Sequence, residues 1–145
     1  MAKQGEEFVG VGVIYFCHDG KGNFIMAKRS ENARDEHGRW DIGGGGLDFD
    51  ISVEDTLRKE IKEEYCTDVK SYEFMGYRDV FRENNGKKTH WVTLDFKVLI
   101  DAKKVKLGEP DKFTDLQWFR LESLPKDLHS QLPHFIEIYK DKLAK

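Results

Sequence analysis

The sequence predicts a mixed α/β or α+β domain in which helices cover a curved sheet. Short apolar and β-branched runs, each bounded by turn residues, indicate strands through much of the chain. Two further segments have the apolar spacing of amphipathic helices. The chain has 145 residues, of which 39% are hydrophobic. This length suits one core, so we expect a single domain spanning residues 1–145.

The first part of the chain predicts a β-hairpin and a loop. Val9 to Phe16 and Phe24 to Ala27 are apolar runs, and the turn-rich sequence HDGKGN separates them. Residues 29–39 are polar and predict a loop. Four consecutive glycines, Gly43 to Gly46, come soon afterwards. Glycine clusters usually form loops, although bare backbone can also approach a ligand or metal closely.

The second half predicts a long hairpin, a short strand and a helix. Val69 to Phe81 and Thr89 to Ile100 form the two hairpin strands, and the sequence ENNGKK between them contains an Asn-Gly turn. Leu116 to Arg120 is a short strand. Leu128 to Leu143 has helical spacing. Its apolar side consists of Leu132, Phe135, Ile136 and Tyr139.

An acidic helix between these halves carries the strongest functional signal. We expect it to begin near Ser52, which can cap free backbone N–H groups with Asp55 three residues on, and to end near residue 65 or 66. Its buried stripe consists of Val53, Leu57 and Ile61. Two of its glutamates lie at the margin of that stripe, and a third lies further towards solvent. These glutamates are Glu60, Glu64 and, on the solvent side, Glu63.

The three glutamates lack local counterions. Helical ion pairs need partners three or four positions away, and neither Glu60 nor Glu64 has a basic residue there. Only Glu63 has one, Lys59. Crowded carboxylates raise one another's pKa unless a cation neutralises them. A hard divalent ion, Mg²⁺ or Mn²⁺, would do so. The structural alternative is a remote lysine or arginine.

Composition excludes several other classes of protein. The formal net charge of −3 argues against a nucleic-acid polymer as partner, because such binding needs a basic surface. No apolar run is long enough to span a bilayer, so we expect no membrane contact. Cys17 and Cys66 have no metal-ligand or disulfide pattern. The N-terminus lacks an apolar signal segment, and a reducing cytoplasm is the expected location.

The glycine run and the acidic helix together resemble the box of the Nudix hydrolase superfamily. That box consists of G, five residues, E, seven residues and R-E-U-x-E-E-x-G-U, where U is aliphatic. Gly45 takes its first position, and residues 59–64 (KEIKEE) take the R-E-U-x-E-E position. Residues 40–45 (WDIGGG) are similar to the W-x-x-P-G-G lead-in of the family. The segments at 89–93, 108–112 and 116–119 resemble the compact MutT-type enzymes, which hydrolyse nucleoside triphosphates.

Four positions depart from this pattern. Ile51 stands in place of the first box glutamate, Lys59 in place of the arginine, Cys66 in place of the late glycine and Gly43 in place of the lead-in proline. In the family, the arginine and first glutamate orient the helix and its metal ligands. A lysine cannot reproduce the guanidinium fork. Asp48 or Asp50 is a candidate substitute for the missing carboxylate.

The resemblance implies a fold and a set of site residues. The fold is an α/β/α sandwich, a mixed curved sheet with helices on both faces. The implied metal ligands are the side chains of Glu60, Glu63 and Glu64 and the backbone of Gly44. Glu63 is the favoured general base, because it lies closest to solvent, and Glu109 is the second candidate. The candidate substrate-binding residues are Arg29, Lys59 and Gly45.

The expected activity is metal-dependent hydrolysis of a nucleoside triphosphate to the monophosphate and pyrophosphate. One alternative substrate is a nucleoside diphosphate derivative such as a sugar nucleotide. A non-catalytic nucleotide-binding module is the third hypothesis, motivated by Ile51 and Lys59. Family members often form homodimers, but no stripe in the sequence identifies an interface. Aromatic candidates for stacking on a base are Phe8, Phe81, Trp91 and Trp118, although strand aromatics more often belong to a core.

Overall fold

A computed structural model describes residues 2–145, which form seven strands and two α-helices. The strands are β1 (Gly10–His18), β2 (Phe24–Arg29), β3 (Trp40–Asp41), β4 (Gly43–Gly46), β5 (Val69–Asn84), β6 (Lys87–Ile100) and β7 (Phe113–Phe119). The helices are α1 (Val53–Tyr65) and α2 (Leu132–Leu143), and two short 3-10 turns lie at Ala102–Lys104 and Leu121–Ser123. Within residues 2–145, neither helix is long and apolar enough to cross a membrane.

The strands form one mixed sheet around a central parallel pair. Its order is β3-β2-β1-β6-β5, with β1 parallel to β6 and the long hairpin β5–β6 antiparallel. β1 pairs with β2 only where His18 lies opposite Phe24. Earlier in β1, residues 12–15 pair with the glycine strand β4 instead, and β2 pairs with β3 and β7. The sheet therefore divides at β1 into one branch that continues through β2 and another that consists of β4.

Each helix covers one face of the sheet with its own apolar core. On one face, Leu57 and Ile61 of α1 pack into a cluster with Val98 of β6. On the other, Leu132 and Phe135 of α2 pack into a second cluster. These layers confirm the α/β/α sandwich and the helices on both faces that the sequence predicts.

The first helix follows its sequence signals closely. The Ser52 hydroxyl accepts a hydrogen bond from the backbone N–H of Asp55 (3.0 Å), as a capping residue should. The last helical residue is Tyr65, and the capping residue that follows, Cys66, has a φ of 56° in the left-handed region. Val53 is partly buried beside the fully buried Leu57. The predicted stripe and both predicted ends are confirmed.

Several other bounds differ from expectation. The glycine run forms strand β4, not a loop, because β1 offers it a free edge. The last helix begins at Leu132 rather than residue 128, since Pro133 favours the first turn of a helix. The hairpin strands reach Asn84 and Lys87, leaving only Asn85 and Gly86 as the turn. The strand predicted to begin at residue 116 begins three residues earlier.

Candidate active site

The glycine strand brings backbone against two carboxylates of the acidic helix. A methyl group on Gly43 would overlap the Tyr15 ring and lie 2.7 Å from Glu64 Oε1. A methyl group on Gly45 would lie 2.5 Å from the Cδ of Glu60. Any larger side chain at either position would displace these groups. The glycines are therefore required by the close approach of α1 to β4.

Glu64 is a buried carboxylate that forms a hydrogen bond with one side chain among residues 2–145. Only 6% of the residue is exposed, and Oε1 accepts a hydrogen bond from the Tyr15 hydroxyl. Burial raises the pKa of Glu64 to about 8, and the charges of Glu109 and Glu60 act in the same direction. Burial, followed by the charge of Glu63, also raises the pKa of Glu60. Both groups would be stabilised as carboxylates by a nearby cation.

Glu63 and Glu109 lie on the outer side of this pair. Glu63 is exposed, as its helical position predicts. Glu109 follows Gly108, whose backbone N–H donates a 3.0 Å hydrogen bond to the carbonyl of Glu64. In the chain from residue 2 onwards, no three His, Cys, Asp or Glu side chains already converge on one point as metal ligands. Glu60 and Glu64 face the glycine strand, whereas Glu63 faces solvent.

The lysines nearest the three glutamates are paired with other acids. Lys59 Nζ lies 4.0 Å from Asp48, Lys62 Nζ lies 3.1 Å from Asp68, and Lys112 Nζ lies 3.4 Å from Glu109. Among residues 2–145, no lysine or arginine lies within 4.0 Å of the carboxylates at positions 60, 63 and 64. The remote counterion, which was the structural alternative to metal, does not occur in the described residues. Of the two candidate substitutes for the missing box glutamate, Asp48 is the one within 4.0 Å of Lys59.

A cleft of about 620 Å³ opens beside this cluster. Gly44, Gly45 and Glu64 form part of its wall. Five basic residues line the remainder against three further acids, Glu6, Asp35 and Asp41, so the weakly acidic protein has a local excess of basic side chains for an anionic ligand. The basic residues of this cleft are Arg29, Arg34, Arg78, Arg82 and Lys87.

Two of these arginines fasten the loop between β2 and β3 to the cleft. Arg29, the last residue of β2, donates through Nε to the Asp35 carbonyl (2.8 Å) and through Nη2 to its carboxylate (3.1 Å). Arg82 of β5 donates to Asp35 and to Glu36, both at 3.0 Å. Arg29 therefore lines the cleft, as a substrate-binding residue should, while also holding the loop. The sequence alone did not identify Arg82.

A buried ion pair supports a third arginine. Arg78 forms two hydrogen bonds to Asp95 at 2.8 and 3.0 Å, and Asp95 is fully buried on β6. The Tyr139 hydroxyl of α2 donates a further bond to Asp95 (2.6 Å), and the guanidinium lies 5.1 Å from the Phe135 ring centre. The sequence analysis missed this network. Its one visible signal was an aspartate between two apolar strand residues, Leu94 and Phe96.

The cleft also contains an acid and a histidine with displaced pKa values. Burial raises the pKa of Asp41 to about 7. Burial lowers the pKa of His129 to about 4, and its Nε2 lies 3.9 Å from the Asp41 carboxylate. The sequence analysis identified neither residue as functional, because each depends on contacts far along the chain.

The four candidate stacking aromatics do not share one site. Trp91 lines the cleft and packs over the backbone of Gly5 and Gly10. Phe8 and Phe81 line a different groove, and Trp118 lines a third pocket near β7. The cleft therefore retains only Trp91 from that set.

Comparison with known proteins agrees with this geometry. The NUDIX domain family model matches residues 7–138. The nucleoside triphosphatase NudI of Escherichia coli is 24% identical over 110 residues, which cover 71% of this chain and 77% of the relative.

Solved structures give the same result. A MutT NUDIX hydrolase from Burkholderia pseudomallei superposes with a TM-score of 0.78 at 26% identity, covering 90% of this chain and 98% of that one. A MutT protein from Methanosarcina mazei gives 0.73 at 25% identity, with 94% and 96% covered. Because the family match spans most of its length, the chain belongs to the NUDIX domain family and is a MutT-like Nudix pyrophosphohydrolase.

Proposed function

We propose that this enzyme hydrolyses a nucleoside triphosphate to the nucleoside monophosphate and pyrophosphate with the help of a divalent metal. One observation carries the proposal: the buried Glu64 and its neighbour Glu60 lie against a bare glycine backbone at the wall of a cleft lined with arginines. An acidic metal site beside a basic pocket suits a polyphosphate. The names of the relatives, a nucleoside triphosphatase and MutT proteins, support the same substrate class.

The donor set fits Mg²⁺ or Mn²⁺. The side chains of Glu60, Glu63 and Glu64 and the carbonyl of Gly44 would hold the ion, and all are the oxygen donors that hard cations prefer. Glu64 is desolvated and has no basic partner among residues 2–145, so its carboxylate form lacks a counterion, which a bound cation would supply. When bound, such an ion neutralises phosphate charge and lowers the pKa of water.

The chain's own basic residues would bind the phosphates. Arg29 and Arg82 have fixed positions because Asp35 holds both guanidinium groups. Arg78 is held equally firmly by Asp95. Fixed charges of this kind stabilise negative charge without reorganisation during the reaction. We place Lys59 and Gly45 with Arg29 as substrate-binding residues, Gly45 through its unobstructed backbone.

A general base must take the proton from the attacking water. We propose Glu63 for this role, since its carboxylate is exposed and free to accept a proton. Glu109 is the competing candidate, because its charge acts on both Glu60 and Glu64. The Glu109 carboxylate is paired with Lys112 at 3.4 Å, so it is less available to an attacking water than the exposed Glu63.

Two variants distinguish the bases. Glu63→Gln should lower kcat and remove the acidic limb of its pH profile, whereas Glu109→Gln should leave that limb in place. The opposite pattern would assign the role to Glu109. Binding of Mn²⁺, measured by its paramagnetic effect on water relaxation, shows whether either variant acts instead through loss of metal.

A nucleotide panel tests the reaction itself. The protein is incubated with Mg²⁺ and a set of nucleoside triphosphates and sugar nucleotides, and the products are separated by chromatography. Monophosphate with pyrophosphate supports the proposal. Two monophosphate species from a sugar nucleotide would favour the diphosphate-derivative alternative. Nucleotide binding without turnover would favour a non-catalytic module, the hypothesis that Ile51 and Lys59 motivate.

A further inference from the structure

The long strand β5 has an unused edge. It is the last strand of the sheet, and its 16 residues pair with β6 on one side only. Within residues 2–145, no strand or isolated bridge pairs with its outer side. An edge of this length presents a row of backbone N–H and C=O groups that can template pairing with another strand.

The same strand presents a row of exposed aromatic side chains on one face. Their β6 partners in the register include Phe96 and Val98, which belong to the core beneath α1. Residues directly opposite each other in a sheet share a face, so the row lies on the α1 side, in a part that α1 leaves uncovered. This β5 aromatic row consists of Tyr72 (40% exposed), Phe74 (53%), Tyr77 (67%) and Phe81 (68%).

The exposed area of the row approaches that of a protein interface. A large aromatic side chain covers about 150–250 Å², so four half-exposed rings leave roughly 400–500 Å² of apolar surface per copy. Two such surfaces total roughly 800–1,000 Å², close to the lower limit of about 1,000 Å² for a specific interface. A patch of this size is among the largest that a monomer exposes, and such patches are often functional.

The charges of β5 favour a second copy of the same strand over other partners. The strand carries three basic and three acidic residues, so its net charge is zero, and two copies do not repel each other. In an antiparallel pair, Lys70 near the start of one strand lies towards Glu83 near the end of the other, and the contact occurs twice. The six charged residues are Lys70, Glu73, Arg78, Asp79, Arg82 and Glu83.

We propose that two copies of this chain form a dimer in which their β5 edges pair antiparallel about a two-fold axis. The aromatic rows then lie side by side on one face of a continuous sheet. The cleft remains open, because Arg78, Val80 and Arg82, which line it, alternate with the aromatic row and face the opposite side of β5. The proposal is independent of the reaction that the cleft performs.

Oligomeric state tests the proposal directly. Sedimentation velocity and light scattering after size exclusion should show a dimer for the wild type at about 100 µM. The double variant Phe74→Glu/Tyr77→Glu should be a monomer, because it places like charges in the row. Phe49→Glu is the matched control, since Phe49 is 97% exposed and lies far from β5 in sequence, and it should remain dimeric. Circular dichroism confirms folding of each variant.

Hydrogen exchange then tests strand pairing. Backbone amides of β5 on its outer edge should gain protection as wild-type concentration rises through the dimerisation range, and the double variant should show no such gain. A wild-type monomer at all concentrations would overturn the proposal. A dimer that survives the double variant, or one without added protection in β5, would overturn it equally.

Discussion

The hydroxyl of Tyr15 donates a hydrogen bond to the carboxyl group of Glu64, joining the central strand to the acidic helix. Gly43 allows this contact, because any side chain there would occupy the space of the Tyr15 ring. This accounts for the glycine at a position where the family has proline. The bond fixes a buried acid whose pKa is about 8, so at neutral pH the metal-free enzyme retains a proton that a cation would have to displace.

The first prediction concerns stability against pH without metal. The pKa of Glu64 is about 8 in the folded protein against an ordinary 4.5. Between these values the folded state holds a proton that the unfolded state has released, so stability falls as pH rises through this window. One proton corresponds to at most about 1.4 kcal/mol per pH unit. Chemical denaturation in EDTA should show this loss for the wild type and a flatter profile for Glu64→Gln.

Titrating groups that do not interact with Glu64 cancel in the comparison. The lowered pKa of His129, about 4, makes stability rise with pH at the acidic end, but it does so in both proteins. The difference between wild type and variant therefore isolates Glu64. Equal slopes above pH 5 in the two proteins would show that the acid does not hold its proton there.

A second prediction tests the close approach of β1 and β4. Gly43→Ala should destabilise the protein by about 1–3 kcal/mol, the usual cost of overpacking a core, because the methyl group meets the fully buried Tyr15 ring. Gly46→Ala is the matched control in the same strand. Its methyl group would lie 3.5 Å from the nearest atom of Trp91, an ordinary contact, so its effect should stay within about 0.5 kcal/mol. Urea denaturation of both variants measures the difference, and equal costs would contradict this account.

The third prediction concerns the end of α1. Cys66 holds a φ of 56°, a conformation that costs most L-residues about 1–2 kcal/mol and glycine almost nothing. After allowing for the greater freedom of glycine in the unfolded chain, Cys66→Gly should stabilise the protein by about 0.5–1 kcal/mol. Cys66→Ala removes the thiol without relieving the backbone and should show no gain. If Cys66→Ala raised the urea midpoint as much as Cys66→Gly does, loss of the thiol would explain the gain in stability instead.

Features that depend on neighbouring residues could be predicted from the sequence. Ser52 and the spacing of Leu57 and Ile61 place α1 to within a residue, since capping and burial of a stripe are local properties of a helix. The Asn85-Gly86 turn likewise fixed the register of the long hairpin. The acidic trio was identifiable because the missing counterions are a matter of helical spacing.

Features that depend on distant residues could not. The glycine run forms a strand only because β1 leaves it a free edge, and Asp41 acquires its raised pKa from burial that the whole fold supplies. The β5 aromatic row was equally hidden, since alternation indicates that side chains share a face but not whether a helix covers that face. Phe81 therefore suggested base stacking in the sequence, while the structure places it outside the cleft.

The last prediction concerns the buried network behind the cleft. Asp95 accepts hydrogen bonds from Arg78, Tyr139 and Thr93, and neither Arg78 nor Asp95 is appreciably exposed. Asp95→Asn would leave the guanidinium without a buried counterion and should cost about 3–5 kcal/mol. Tyr139→Phe removes one bond and keeps the ion pair, so it should cost only about 1–2 kcal/mol.

A double variant at the same ion pair separates stability from substrate binding. If Asp95 serves mainly to hold Arg78 in the cleft, Arg78→Met combined with Asp95→Leu should recover much of the stability that Asp95→Asn loses, because an apolar pair can replace a buried ion pair in packing. The KM for the nucleotide should stay above that of the wild type, because an apolar pair cannot replace the charge of Arg78. Urea denaturation and steady-state kinetics on the double variant measure the two effects. A double variant with restored stability and the KM of the wild type would show that Arg78 does not contact the substrate. The network would then serve only to join β5 and β6 to α2.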